Sequence, residues 1–239
     1  MSRFMLKLLF LALFAAGTAC TPMYIPNLHH VPLLSNKGDI STGLNLGGSM
    51  LDIQLAYAFN QHLAAMVNST YQKRSFGDSL SYEYEHFFLE GAVGYFTKVS
   101  KAGRFGIYGG YGRGHGYGEN DYTFMPPGEY AIGYYNRLFI QANFGAVSEY
   151  FDGGFSLRGS YVDFYKYKTD IQIYYHHLGQ YFMEPVMVMR MGGKHLKFQT
   201  ELGFAFRMGN EVLEDYSPFV AGIGLTYYLN AFGKNHWEP

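Results

Sequence analysis

The sequence predicts an all-β protein: an antiparallel up-and-down transmembrane β-barrel of about ten strands, with eight as the alternative count. Three observations predict it. Apolar and polar residues alternate with a period of two along most of the chain, as side chains on the two faces of a strand do. Short turns and long loops take turns between the alternating runs. The composition is rich in aromatics and poor in charge: of 239 residues, 23 are Tyr and 21 Phe, and only 15% are charged, against about a quarter in an ordinary soluble domain. The clearest run is a hairpin. Pro185, Met187, Met189 and Met191 share one face and Glu184 and Arg190 the other, Gly192 and Gly193 turn the chain, and Leu196, Phe198, Thr200, Leu202, Phe204 and Phe206 return opposite Lys197, Gln199, Glu201, Gly203 and Ala205.

Mean hydropathy is −0.10, because apolar residues are interleaved with polar ones. Beyond the first twenty residues nothing approaches the roughly 18 continuous apolar residues of a spanning helix. The net charge of −1 excludes a strong electrostatic case for nucleic acid. Residues 1–19 read as a lipoprotein-type signal peptide: Arg3 and Lys7 are its basic start, residues 8–16 its apolar centre, and Gly17, Thr18 and Ala19 its small-residue cleavage site. Cys20, the one cysteine, stands where lipidation of the first mature residue is expected. Residues 20–38, with Pro22, Pro26 and Pro32, read as a lipid-proximal extended tether that no regular helix can occupy.

The barrel is expected over residues 39–230. Ile40, Thr42, Leu44 and Leu46 begin the first strand; Leu51, Ile53, Leu55, Tyr57 and Phe59 alternate with Asp52, Gln54, Ala56 and Ala58 in the second; Leu63, Ala65 and Val67 carry the third. A charged stretch from 72 to 78 reads as a loop. Phe87, Leu89, Gly91, Val93 and Tyr95 face away from His86, Glu90, Ala92 and Gly94 in the fourth strand, and a glycine-rich fifth follows around 105–111. Residues 112–128 read as a long polar connection. Gln141 and Asn143 alternate with Leu138, Ile140 and Phe144 in the sixth strand, and Ser156, Arg158 and Ser160 with Phe155, Leu157 and Tyr161 in the seventh. Residues 165–180 read as another long loop, the opening hairpin supplies strands eight and nine, and residues 219–229 the tenth. Only the first connection, at 47–50, is tight on the long-loop side.

Closure removes sheet edges that lipid could not solvate, and Tyr57, Tyr71, Tyr95, Tyr134, Tyr135, Tyr165, Tyr227 and Tyr228 lie where aromatic girdles belong. Gly222, Gly224, Tyr227 and Leu229 look like the closing signal read by the outer-membrane assembly machinery, with residues 231–239 as a tail. Tyr24-x-Pro26-Asn27, Pro32-Leu33-Leu34-Ser35-x-Lys37-Gly38, Phe139-Ile140-Gln141 and Phe155-Ser156-Leu157-Arg158-x-Ser160-Tyr161 resemble a family of uncharacterised bacterial outer-membrane β-barrel lipoproteins. The resemblance spans most of the chain after Cys20 and implies the fold and the outer-membrane location, without an activity to transfer.

Function is read from the polar face. In a narrow lumen Asp52, Glu90, Arg158, Glu184, Arg190 and Glu201 converge as a charge network, since buried charges must be paired. The leading expectation is a structural or surface-binding role with the lumen plugged by these groups; a narrow conduit for small solutes or ions is the alternative, and a lipid- or peptide-modifying enzyme the second. Catalysis finds no convincing constellation: His86 and Glu90 are four residues apart on one strand face, and no Gly-x-Ser-x-Gly elbow occurs. Adjacent histidines at 29–30 and 176–177 point to opposite sides, so no metal and no cofactor are expected. The glycine-rich stretch 109–118 lacks the Lys-Ser/Thr ending of a phosphate loop. Tyr122, Phe124, Tyr174, Tyr175, His176 and His177 are candidates for surface binding of an unidentified ligand or protein. Outer-membrane lipids and the assembly machinery are the expected partners. A lipid-anchored soluble barrel would alternate in the same way with its apolar face inward.

Overall fold

In the computed structural model of the protein, the described residues are 24–48, 50–76, 82–120, 129–169, 173–174, 177–209 and 216–232. Ten strands form a closed antiparallel barrel: β1 (Asp39–Gly47), β2 (Met50–Ala58), β3 (Leu63–Phe76), β4 (Tyr82–Lys98), β5 (Gly103–Asn120), β6 (Glu129–Ala146), β7 (Phe151–Thr169), β8 (Leu178–Gly192), β9 (Leu196–Phe204) and β10 (Phe219–Asn230). Phe206–Met208 continues β9 beyond Ala205 and keeps its pairing with β8, and Ile173–Tyr174 adds a short pairing to β7. At Ala205 the backbone N–H leaves the ladder and donates to the carbonyl of Pro218 at 2.8 Å. The seam joins the first strand to the last, from Asp39 opposite Asn230 to Gly47 opposite Gly222.

The alternation runs opposite to that of a water-soluble barrel. Leu44, Leu46, Ile53, Val93, Ile140, Phe144, Met187 and Leu225 point outward and are exposed, while Asp52, Gln54, Glu90, Arg137, Gln141, Arg158, Glu184, Arg190 and Glu201 point inward and are buried. A barrel with its apolar set inside is therefore not the architecture.

Three segments read from the sequence as loop are strand. β3 continues through 72–76, β5 through 112–120 and β7 through 165–169, while β6 and β8 begin at Glu129 and Leu178. Above the apolar belt the outward side chains turn polar, as at Arg113, Asn136 and Asp163, which are adjacent in register across β5, β6 and β7. Backbone pairing goes on, but the apolar half of the period-two signal ends there.

Of the residues read from the sequence as a lipid-proximal tether, 24–36 run inside the barrel. Tyr24, Asn27, Leu28, His29, His30, Val31, Leu33, Leu34 and Ser35 are buried to 4% exposure or less. The prolines keep this stretch out of helix and ladder, so inward side chains pair its backbone instead. Gln141 Nε2 donates to the His30 carbonyl at 2.8 Å, Arg190 to that of Val31 at 2.7 Å and Arg158 to that of Asn27 at 3.2 Å, while Glu201 Oε2 accepts the N–H of His29 at 3.0 Å.

Apolar clusters flank this polar middle. Tyr24 packs with Phe88, Tyr135, Val162, Phe164 and Phe182 toward the long-loop end. Leu34 sits among Ala56, Ala58, Ala64, Met66, Phe96, Tyr108 and Phe139, and Leu28, Val31 and Leu33 meet Val147, Val186, Val188 and Val220. Leu33 adopts a left-handed φ of 46°, which costs about 1–2 kcal/mol for a non-glycine residue, and its side chain lies over Gly145 and Gly154, close enough that a Cβ on Gly145 would crowd it. At the turn end, Lys194 and Glu149 tie two turns together at 3.0 Å, and hydrogen bonding to Lys194 holds the Glu149 carboxyl below its ordinary range.

The seam generates a contrast. A Cβ on Gly224 would collide with Asn45 and the Leu44 carbonyl, whereas one on Gly109 meets nothing within 4 Å. Gly224→Ala is expected to lower the urea midpoint of the refolded barrel by the equivalent of about 1–3 kcal/mol, and Gly109→Ala to leave it unchanged. Equal midpoints for the two variants would contradict the tight seam.

Candidate functional site

The site is a charged cluster in the middle of the lumen. Arg158 on β7 donates through Nε to Glu184 Oε2 at 2.7 Å and lies 3.6 Å from Glu90. Arg137 on β6 bonds the other oxygen of Glu90 on β4. All four side chains are at most 1% exposed. The threaded segment adds to their coordination: Asn27 Oδ1 accepts from Arg137 at 2.6 Å and from Arg158 at 3.1 Å, and Asn27 Nδ2 donates to Glu90 at 3.1 Å. Tyr24 Oη accepts from Arg137 at 3.0 Å and bonds Glu184 at 3.4 Å. The His29 ring joins Ser156 at 2.9 Å and Glu184 at 3.2 Å. Asn68 also donates to Glu90 Oε1 at 2.9 Å, and Ser160 to Glu184 Oε1 at 2.8 Å. Arg137 also lies over the rings of Phe88 at 4.3 Å and Phe139 at 5.6 Å, where an aromatic face attracts a cation.

Two acids and two guanidinium groups balance in charge, and a ring of neutral donors and acceptors bonds most of their polar atoms, with Arg137 Nε and Arg158 Nη1 left without a hydrogen-bond partner among the described residues. Period-two register places them: Arg137 shares the inward parity of Phe139, Gln141 and Asn143, and Arg158 that of Ser156 and Ser160.

Of the six charges expected to form one network, Glu90, Arg158 and Glu184 are brought together and the other three are not. Asp52 accepts from Thr70 at 2.6 Å. Arg190 donates to Gln199, to Tyr228 Oη at 2.8 Å and to the Val31 carbonyl, and Gln199 in turn donates to Glu201 at 2.8 Å. Asp52, Arg190 and Glu201 thus have neutral hydrogen-bond partners, and the contact-distance ion pairs of the expected network, with Arg137 added, join Glu90, Arg158 and Glu184. The sequence reading missed Arg137, although its parity with Gln141 pointed to it. It also missed Asn27, His29 and Tyr24, which carry no periodic signal. A second buried pair, Lys197 with Asp152 at 2.6 Å, sits toward the turns.

Cys20, Tyr122, Phe124, Tyr175 and His176 lie outside the described residues. Tyr174 belongs to the short strand opposite Tyr167, and His177 pairs its Nδ1 with Asp163 at 2.7 Å, its side chain exposed. His86 bonds Tyr135 Oη at 2.7 Å, while Glu90 is engaged by the arginines and asparagines above. Among the described residues no three His, Cys, Asp or Glu side chains gather to hold a metal ion.

Neither a known protein family nor a curated protein matches the sequence. Among solved structures the chain is similar to the translocator domain of the autotransporter NalP from Neisseria meningitidis, with 10% identity, 93% of this chain and 94% of that one covered, and a TM-score of 0.47. It is also similar to Ail, the attachment invasion locus protein of Yersinia pestis, with 12% identity, 81% and 99% covered, and a TM-score of 0.32.

Removing one member of the cluster strands a buried charge. Arg158→Met is expected to cost about 3–5 kcal/mol in urea titrations of the refolded barrel, and Arg158→Met with Glu184→Gln to recover a large part of the loss. A single variant as stable as the parent would show that the cluster does not hold the barrel together.

Proposed function

We propose that this chain is an exported outer-membrane β-barrel, acylated at Cys20, with a structural or surface-binding role and a lumen closed by its own N-terminal segment and the charged cluster around it. The observation that carries this reading is the buried path of residues 24–36. Side chains of β1, β2 and β4 through β9 bind that segment, from Ser41 and Gln54 to Arg137, Arg158, Glu184 and Glu201. A ten-stranded barrel is only slightly wider than one filled by its own side chains, and an extended chain takes up the difference.

The outward belt supports the membrane location. Met187, Met189, Met191, Leu196, Phe198, Leu202, Ile223 and Leu225 expose an apolar surface far more continuous than the scattered apolar residues of a soluble protein. Closure leaves no strand edge for lipid to face. The inward charges serve as fixed partners of the threaded segment, so the proposed role involves no catalysis. Outer-membrane lipids and the assembly machinery are the proposed partners, and the loop end is the surface offered to an extracellular ligand.

Two measurements test this. Residues 20–239 refolded into a planar bilayer are expected to carry no steady current, and a chain lacking residues 24–34 to carry single-channel current while still migrating as a heat-modifiable barrel; steady current through the intact chain would replace the plug with a conduit. Leu225→Lys on the outward belt is expected to destabilise the refolded barrel by about 2–4 kcal/mol, and Val99→Lys in a turn to have little effect. Equal tolerance of both would remove the membrane assignment.

A further inference from the structure

The wall of the barrel is uneven. β1 and β2 have 9 residues each, half the length of β5 and β6 with 18 each. All of these strands meet at the turn end, so the difference appears entirely at the loop end. The two-residue β1–β2 connection, the exception to the alternation of short turns and long loops, makes a notch there. Gly48 at this connection has a φ of 54°, a conformation open to glycine, which permits so tight a reversal.

The threaded segment starts near the turns against β5 to β8, with Leu33 over Gly145 and Gly154, and comes to the side of the barrel where the notch lies as it nears the loop end. Near the turns, Ser35 bonds Arg104, whose guanidinium also holds the carbonyls of Ser100 and Lys101. Seven residues earlier, Leu28 lies against Gly47 and Gly222, so closely that a Cβ on either would crowd its side chain. Gly47 and Gly222 form the last rung of the seam at the loop end, so at Leu28 the chain has reached the rim of the notch. Four residues earlier still, Tyr24 forms a parallel bridge with Tyr216, ahead of β10, and the Ser217 N–H donates to the Tyr24 carbonyl at 3.0 Å. The ring of Tyr24 is held between Tyr135 at 5.7 Å and Phe182 at 4.9 Å.

We infer that the N-terminus of the processed chain leaves the barrel at the loop end, beside the notch over β1 and β2, so that an acyl group on Cys20 enters the leaflet on the loop side. The leaflet assignment rests on the proposed acylation of Cys20; the exit route does not. Reach decides between the leaflets. Four residues span at most about 14 Å. The nine residues of β1 cover about 30 Å, or roughly 23 Å of depth at an ordinary strand tilt of about 40°. From Tyr24, Cys20 can reach the surface beside the notch and cannot reach the turn end. With long loops facing outward, the anchor sits on the cell surface, opposite to where a tether ahead of the barrel would place it.

The test uses the full chain in a Gram-negative host, with an epitope inserted between Thr21 and Pro22 and, in a second version, within residues 121–128 as a reference for the loop end. Antibody binding is measured on intact cells and after permeabilising the outer membrane. Both epitopes are expected to bind on intact cells, with less than a twofold rise after permeabilisation. Binding at the N-terminal epitope only after permeabilisation, with the loop epitope open on intact cells, overturns the inference. If the insertion abolishes heat-modifiable folding, Pro22→Lys with trypsin applied to intact cells gives the same readout, cleavage after residue 22 supporting the route and protection overturning it. The mass of the N-terminal peptide separates the two premises: an unmodified Cys20 with the epitope on the loop side refutes acylation and leaves the exit route standing.

Discussion

Arg158 joins the wall of the barrel to the chain inside it. Its guanidinium meets Glu184 on β8, Glu90 on β4 and both the carbonyl and the side chain of Asn27. A guanidinium this deeply buried needs partners for its donors: here Nε bonds Glu184, Nη2 bonds Asn27 of the threaded segment, and Nη1 faces Glu90 at ion-pair distance. The demand spreads from there. Asn27 must be extended to offer its carbonyl, the residues after it must be paired by Gln141, Arg190 and Glu201, and Tyr24 must close the top of the cluster over Arg137 and Glu184. Small inward residues such as Ala56, Ala58, Ala64 and Ala92 leave the room that Leu34 fills.

The fold was legible because an inside-out barrel writes its signal in plain alternation. Leu51, Ile53 and Leu55 against Asp52, Gln54 and Ala56 define both faces of a strand without reference to anything distant, and the placement of Glu90, Arg158 and Glu184 in the lumen followed from parity alone. The strand ends were not legible for the same reason. Once outward residues such as Arg113 and Asn136 leave the apolar belt, both faces are polar and period two carries no contrast, although the backbone ladder continues to Asn120 and starts again at Glu129.

The threaded segment was illegible for a different reason. Its conformation is imposed by partners far away in sequence: the N–H of His29 is held by Glu201, 172 positions on, and the Tyr24 hydroxyl bonds Glu184, 160 positions on. Local pattern excluded a helix there through Pro26 and Pro32, and that much was correct. Whether an extended, proline-bearing stretch lies outside a barrel or inside it depends on whether the lumen offers matched donors and acceptors, which only the assembled wall reveals. Arg137 sits between these cases, with its parity visible and its role as the second cation of the cluster set by Asn27 and Tyr24.

The seam between β1 and β10 has a kinetic consequence. It pairs residues 39 through 47 with residues 230 through 222, so the barrel cannot close until the last strand has been made and positioned. Contacts of such long sequence separation form slowly. The segment ahead of β1 is tied to side chains on most of the wall and crosses the lumen from end to end. Threading it afterwards would drag Asn27 and His29 through a packed interior, so it must lie in place as the seam zips. The same geometry works in reverse: withdrawal requires the seam to open first, and the charged cluster and the β1–β10 ladder therefore come apart as one event. For a fold locked in this order, the rate of seam opening sets how fast it is lost.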